Sequence, residues 1–105
     1  NGTSNITTLL FSTLEELVKD ELKRFRFYLS QKNLLEGYKH IPKGQLEKTS
    51  PTDIVARMVE SNGRQGALEI TLYILKKMTQ LELASRLEKA CKQSKIIFLF
   101  SIFPN

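Results

Sequence analysis

The sequence predicts an all-α protein, a bundle of five or six short antiparallel helices. Three observations point there. Apolar residues recur at three- and four-residue spacing in several separate runs. Helix-start signals stand between those runs, the clearest being Ser50-Pro51-Thr52-Asp53. The connections are short, except for one stretch after Asn33 that is punctuated by Gly37, Pro42 and Gly44. Helices joined by short loops bury their apolar faces on one another, which is a helix bundle.

The chain has 105 residues and 41% apolar residues, enough for one small domain. Residues 1–6 read as an N-terminal extension, 7–92 as the domain and 93–105 as an apolar tail. Leucines at 9, 10, 14 and 17, with Val18, make the first helical face. That helix starts near Thr7 or Thr8, or later at a capping box formed by Ser12-Thr13-Leu14-Glu15. Leu22, Phe25 and Leu29 form a second stripe, with Asp20 the best cap candidate before it. One continuous helix through both stripes stays open, although it would have to bury two different faces.

Between Asn33 and Lys48 the periodicity breaks. Pro42 disfavours a helical Ile41, and Leu46 permits one short helix near Lys43 to Lys48. At the next start Ser50 caps, Pro51 suits the first turn and Asp53 complements the positive helix end. Ile54, Val55, Met58 and Val59 form its face, and Asn62-Gly63 stops it. Ala67 to Met78 is apolar nearly all round. Leu68, Ile70, Leu72 and Ile74 alternate as in a strand, but length and the Lys76-Lys77 end favour a buried helix. Thr79-Gln80-Leu81-Glu82 reads as a capping box for a last helix whose face is Leu83, Ala84, Leu87, Ala90 and Cys91. The stretch from Ile96 to Phe103 holds seven large apolar residues in eight, too few to span a bilayer. It reads as a strand-like or helical tail packed on the domain.

The composition offers no catalytic set. His40 is the only histidine and Cys91 the only cysteine, so neither a zinc site nor an intramolecular disulfide is expected. Cys91 falls on the apolar side of its helix and reads as a packing residue. No phosphate-binding loop or dinucleotide fingerprint is present. Glu15 with Glu16, and Asp20 with Glu21, are sequence neighbours and diverge around a helix, so they are not acid–base pairs. No enzyme, metal or cofactor is expected. The sequons at Asn1 and Asn5 read as chance matches, since no secretion signal is visible at the start.

The charge pattern is more informative. The formal net charge is +5, but residues 1–22 hold one lysine against four acids, and residues 23–48 hold seven bases against two. The sign switches within LEELVKDELKRFRFYL. A module with two faces of opposite sign can meet its own kind head to tail, and such contacts grow open filaments when the rotation does not close. The competing reading is a basic helical domain that binds nucleic acid or anionic lipid through Arg24, Arg26, Lys32, Lys39, Lys43 and Lys48. The acidic first segment would repel phosphate, and no base-reading helix is apparent.

Asp20-Glu21-Leu22-Lys23-Arg24-Phe25 and Glu36-Gly37-Tyr38…Ile41-Pro42-Lys43-Gly44, in that order and spacing, resemble a pyrin domain. The similarity runs roughly from Leu9 to Cys91 and looks like pyrin domains of fish innate-immune proteins. The resemblance implies a six-helix death fold with a short third helix, and the broken periodicity before that helix reads as a long basic loop between helices 2 and 3. It implies homotypic binding to the pyrin domain of an adaptor, sensor or caspase. It further implies inflammasome filaments, caspase activation and a cytoplasmic location. A basic face of Lys23, Arg24, Arg26 and Lys43 is expected to meet an acidic face, here carried by Glu15 and Asp53. Thr8, Ser12 and Ser50 stand where some assembling members carry acids. The basic face is therefore expected to be the fuller one, a donor to other pyrin domains more than a means of self-polymerisation.

Overall fold

The computed structural model describes the backbone of residues 2–102 and the side chains of residues 6–91. Five helices follow in order: α1 (Gly2–Glu15), α2 (Lys19–Leu29), α3 (Lys43–Leu46), α4 (Pro51–Lys77) and α5 (Leu81–Ile102). Among the described residues there is no strand. The all-α expectation holds, and the run from Ala67 is helical as expected.

The expected fourth and fifth helices run together here as α4, two helical stretches that meet at a kink. Gly63, with φ 77° and ψ 171°, breaks the helical run at the expected Asn62-Gly63 stop, and the chain resumes a helix directly after it. The half before the bend buries Ile54, Val55 and Met58, and the half after it buries Ala67, Leu68, Ile70, Thr71, Ile74 and Leu75. The second half is apolar nearly all round because it is central. Helix α4 packs against α1, α5 and α2. Leu10, Leu14 and Leu17 come to this core from α1 and the turn after it, Phe25 and Leu29 from α2, and Leu83, Ala84, Leu87 and Cys91 from α5. Thr71 is fully buried and solves its polar problem locally, donating to the Ala67 carbonyl at 2.7 Å.

Helix starts differ from expectation at three places. α1 begins at Gly2, so Ser12 lies inside it and caps nothing. Residues 16–18 separate α1 from α2, and Val18, the residue before α2, is 62% exposed instead of joining the first apolar face. Val18 has no side-chain acceptor. The Glu21 carboxylate reaches back to accept the Val18 N–H at 3.0 Å, and Asp20 is left exposed on the first turn. Thr79 is likewise no cap: it takes φ 59°, and the chain enters α5 through Gln80, whose carbonyl accepts from Ala84 N–H at 3.0 Å. The Ser50 start is as expected. Asp53 N–H donates to Ser50 Oγ at 3.3 Å, Ser50 N–H donates back to Asp53 Oδ2 at 3.5 Å, and Pro51 opens the helix.

The connection from Ser30 to Pro42 is long and only weakly basic. It carries Lys32 and Lys39 against Glu36, and the density of bases belongs to the flanking helices. Its structure rests on apolar anchors instead. Leu34 and Ile41 are 3% and 1% exposed. Lys39 is clasped by Asn62, whose Oδ1 accepts the Lys39 N–H at 2.7 Å and whose Nδ2 donates to the Lys39 carbonyl at 3.0 Å. The Tyr38 ring lies over Gly66, where a Cβ would come within 3.1 Å of it. The Tyr38 hydroxyl donates to Glu69 at 2.8 Å, and that bond, with some desolvation and the nearby negative charge, raises the phenol above its ordinary pKa.

The backbone of the expected tail continues α5 as far as Ile102. Its side chains from Ile96 onward, and those of the expected N-terminal extension before Ile6, lie outside the described residues.

Candidate interaction surface

Helix α2 presents two unlike faces. Phe25 and Leu29 are buried, with Leu22 packed beside them. Asp20, Lys23, Arg24 and Phe27 fall at three- and four-residue spacing on the outer face, and all four are exposed or nearly so. Phe27 is 61% exposed, with its ring edge-on to Tyr28 at 5.7 Å. Among the described residues no hydrogen bond or ion pair engages Asp20, Lys23 or Arg24. Two cations and an aromatic ring thus share a solvent-facing surface carried on a rigid, core-packed helix. Lys43 is exposed at the start of α3, which packs against α2.

Arg26 goes elsewhere. Its Nε–H donates to Thr49 Oγ1 at 3.2 Å, and one terminal nitrogen donates to the Thr49 carbonyl at 2.5 Å. Thr49 is itself buried and donates to the Leu46 carbonyl at 2.6 Å. Arg26 therefore ties the α3–α4 junction to α2, which positions Lys43 relative to Lys23 and Arg24. A fixed guanidinium fork suits that task better than a lysine.

On the acidic side, Glu15 ends α1 and is exposed, and Asp53 is exposed on the first turn of α4. Their helices pack side by side. Glu16 is engaged internally, accepting from Arg86 on α5 at 2.8 and 3.3 Å, a contact that raises the guanidinium's pKa further. Glu21 is also engaged, by Val18 N–H and by Gln80. The four acids of the first segment thus divide into two that brace helices and two, Glu15 and Asp20, that face solvent.

Two features of the surface were not read from the sequence. One is Phe27, and its signal was available: it lies off the Leu22–Phe25–Leu29 stripe and on the stripe of Lys23 and Arg24. The other is Arg57. It projects from α4 with Asp53, Ala56 and Glu60 around a shallow cavity of ≈ 210 Å³.

Among the described residues no group of three or more His, Cys, Asp or Glu side chains is placed to hold a metal ion. No helix there is long and apolar enough to cross a membrane.

Comparison with known proteins gives a consistent picture. Residues 9–85 match the family model described as PAAD/DAPIN/Pyrin domain. The chain is 32% identical over 88 residues to Pyrin of Mus musculus, covering 84% of this chain and 12% of that protein. It is 40% identical over 86 residues to Caspase b of Danio rerio, covering 80% of this chain and 20% of that protein. It superposes on the solution structure of the pyrin domain of human Pyrin with a TM-score of 0.74 at 31% identity, over 84% of this chain and 98% of that one. The chain therefore spans only a small part of the length of both full-length relatives.

Proposed function

The chain belongs to the pyrin domain family, with the all-α death fold of that family, and from that premise we propose that it is a homotypic interaction module. Its basic face of Lys23, Arg24 and Lys43, centred on Phe27 and held in register by Arg26, docks on the acidic face of another pyrin domain. Its own acidic face, Glu15 and Asp53, is the thinner acceptor. Assembly of this kind in the cytoplasm would recruit and activate a caspase within an inflammasome, a role suggested by the likeness to Caspase b.

The observation that carries this reading is the outer face of α2. An exposed aromatic flanked by two unengaged cations is the composition of an interface anchor. The protein needs neither cation for its own fold. Asp20, exposed on the same face, works against phosphate and hence against the nucleic-acid or lipid reading.

The test is sedimentation velocity of this chain mixed with the matching segment of Caspase b, at low and at high salt. A complex that forms at low salt and weakens as salt rises is the expected result. Absence of a complex under all conditions, together with binding to anionic vesicles or duplex DNA, would replace this reading with the phosphate-binding one. Phe27→Ala should weaken the complex roughly tenfold, the effect of losing about 1–2 kcal/mol at an aromatic anchor. The melting temperature should stay nearly unchanged, because little of that ring is buried in the free domain. An unchanged dissociation constant would remove Phe27 from the interface.

A further inference from the structure

The outer face of α4 is not simply acidic. Asp53, Arg57 and Glu60 alternate in sign along it, and with Ala56 they line the shallow cavity. Arg57 is only half-buried as a residue, but its Nε is fully covered and has no hydrogen-bond acceptor. A buried donor left unmatched is uncommon; being covered it cannot itself meet another molecule, so what this face offers is the charge of the half-exposed guanidinium. The flanking carboxylates do not engage that charge, since no ion pair joins Arg57 to Asp53 or Glu60.

The outer face of α2 also carries both signs, with Asp20 one turn before Lys23 and Arg24. The spacings match. On α2 the acid lies three and four residues from the bases, about 4.5 and 6 Å along the axis. On α4 the base lies four residues from Asp53 and three from Glu60, again about 6 and 4.5 Å. When Asp20 of one molecule stands opposite Arg57 of another, Lys23 and Arg24 fall opposite Asp53 or Glu60, whichever way the helices run.

We propose that Arg57 is a specificity residue, and that the α4 face accepts a second copy of this chain by pairing Arg57 with Asp20 while one of its two flanking acids, Glu60 if the helices run parallel or Asp53 if antiparallel, receives Lys23 and Arg24. This rests on the interaction-module reading and sharpens it. A purely basic partner face meets repulsion at Arg57, so the acceptor discriminates among pyrin domains by whether they carry an acid one turn before the bases. The thinness of the acidic side is then selectivity.

The test is self-association of the chain, read by light scattering or sedimentation, with circular dichroism confirming that each variant is folded. A simple rule of opposite charges predicts that Arg57→Glu, which makes α4 wholly acidic, strengthens association. The pairing proposed here predicts the reverse: Arg57→Glu and Asp20→Lys each weaken association about tenfold. The double variant D20K/R57E regains most of the loss, as does a mixture of the two single variants. Arg57→Gln, which keeps size and removes charge, falls between. Stronger or unchanged association of Arg57→Glu overturns the pairing, and so does failure of the unaltered chain to self-associate. The parallel control is the Lys23→Glu, Arg24→Glu variant. If it associates normally, the interaction-module reading falls. If it alone fails to associate, that reading stands without the Arg57 pairing.

Discussion

Replacing Lys23 and Arg24 together by glutamate weakens binding to a partner pyrin domain about a hundredfold and leaves the domain folded. Each exposed ion pair contributes about 0–1 kcal/mol, and reversal replaces an attraction with a repulsion of similar size. Two reversals therefore cost about 3 kcal/mol, close to two powers of ten in the dissociation constant. In an assembly where every subunit repeats the contact the loss multiplies, so any filament disappears well before the pairwise complex does. The fold is expected to tolerate the change, because neither side chain has an intramolecular partner among the described residues and both are exposed. The carboxylate introduced by Arg24→Glu would sit four residues from Asp20, a repulsion of a few tenths of a kcal/mol. The one introduced by Lys23→Glu would gain Lys19 at the same spacing, which offsets it. The melting temperature should therefore move by less than about 5 °C. Restoration of binding by lysine at the partner's acidic positions makes the contact direct. A domain that melts normally and still binds its partner normally would exclude α2 from the interface. A domain that binds nothing because it has unfolded would show that the two cations serve stability, against what their exposure implies.

The parts of this molecule legible in the sequence are those governed by short-range rules. Ser50-Pro51-Thr52-Asp53 folds as a capping box because all its partners lie within three residues. The stripes of α2 and α5 follow from spacing alone. What escaped depends on contacts distant in sequence. Asp20 looked like the cap of α2, but the helix already starts at Lys19 and Glu21 closes the box on Val18, while its other oxygen accepts from Gln80, 59 residues away. Arg26 looked like its neighbours Lys23 and Arg24. It differs because Thr49 arrives beside it only when α3 is docked. The loop looked strongly basic because Lys43 and Lys48 were counted with it, whereas Lys43 opens α3 and Lys48 follows that helix; the clasp of the Lys39 backbone by Asn62, 23 residues on, forms only in the fold. Arg57 drew no notice since it follows an apolar stripe and looks like an ordinary exposed base. Only the folded structure shows its covered nitrogen and the shallow cavity it lines with Asp53 and Glu60. The sign and place of one face were therefore legible, and the finer division between the unengaged cations Lys23 and Arg24 and the bracing Arg26 was not.

The second large effect is expected at the bend in α4. Gly63→Val should lower the melting temperature by roughly 8–16 °C, the effect of about 2 kcal/mol of strain in a domain of this size, whereas Gly44→Ala should be neutral or slightly stabilising. The two glycines share one property and differ in another. A Cβ at either would meet nothing within 4 Å, so neither substitution creates a clash. Gly63, however, holds φ 77° with ψ 171°, a region open essentially to glycine alone. Forcing an L side chain there costs about 1–3 kcal/mol, and each kcal/mol is worth about 4–8 °C in a domain of this size. Gly44 lies in α3 without a positive φ, where alanine lowers the entropy of the unfolded chain at no cost to the folded one. The alternative open to Gly63→Val is to straighten α4 through the bend. That would swing Pro51–Asn62 off the core, uncovering Ile54, Val55 and Met58 and pulling Asn62 from Lys39. Asp53, Arg57 and Glu60 all lie on the segment that would move, while Lys23 and Arg24 do not. The variant should then lose self-association more than its capacity to donate the α2 face to a different pyrin domain. Equal melting temperatures for the two glycine variants would remove the strain argument. Equal loss of both binding modes would mean that the bend supports the whole domain and not the α4 face in particular.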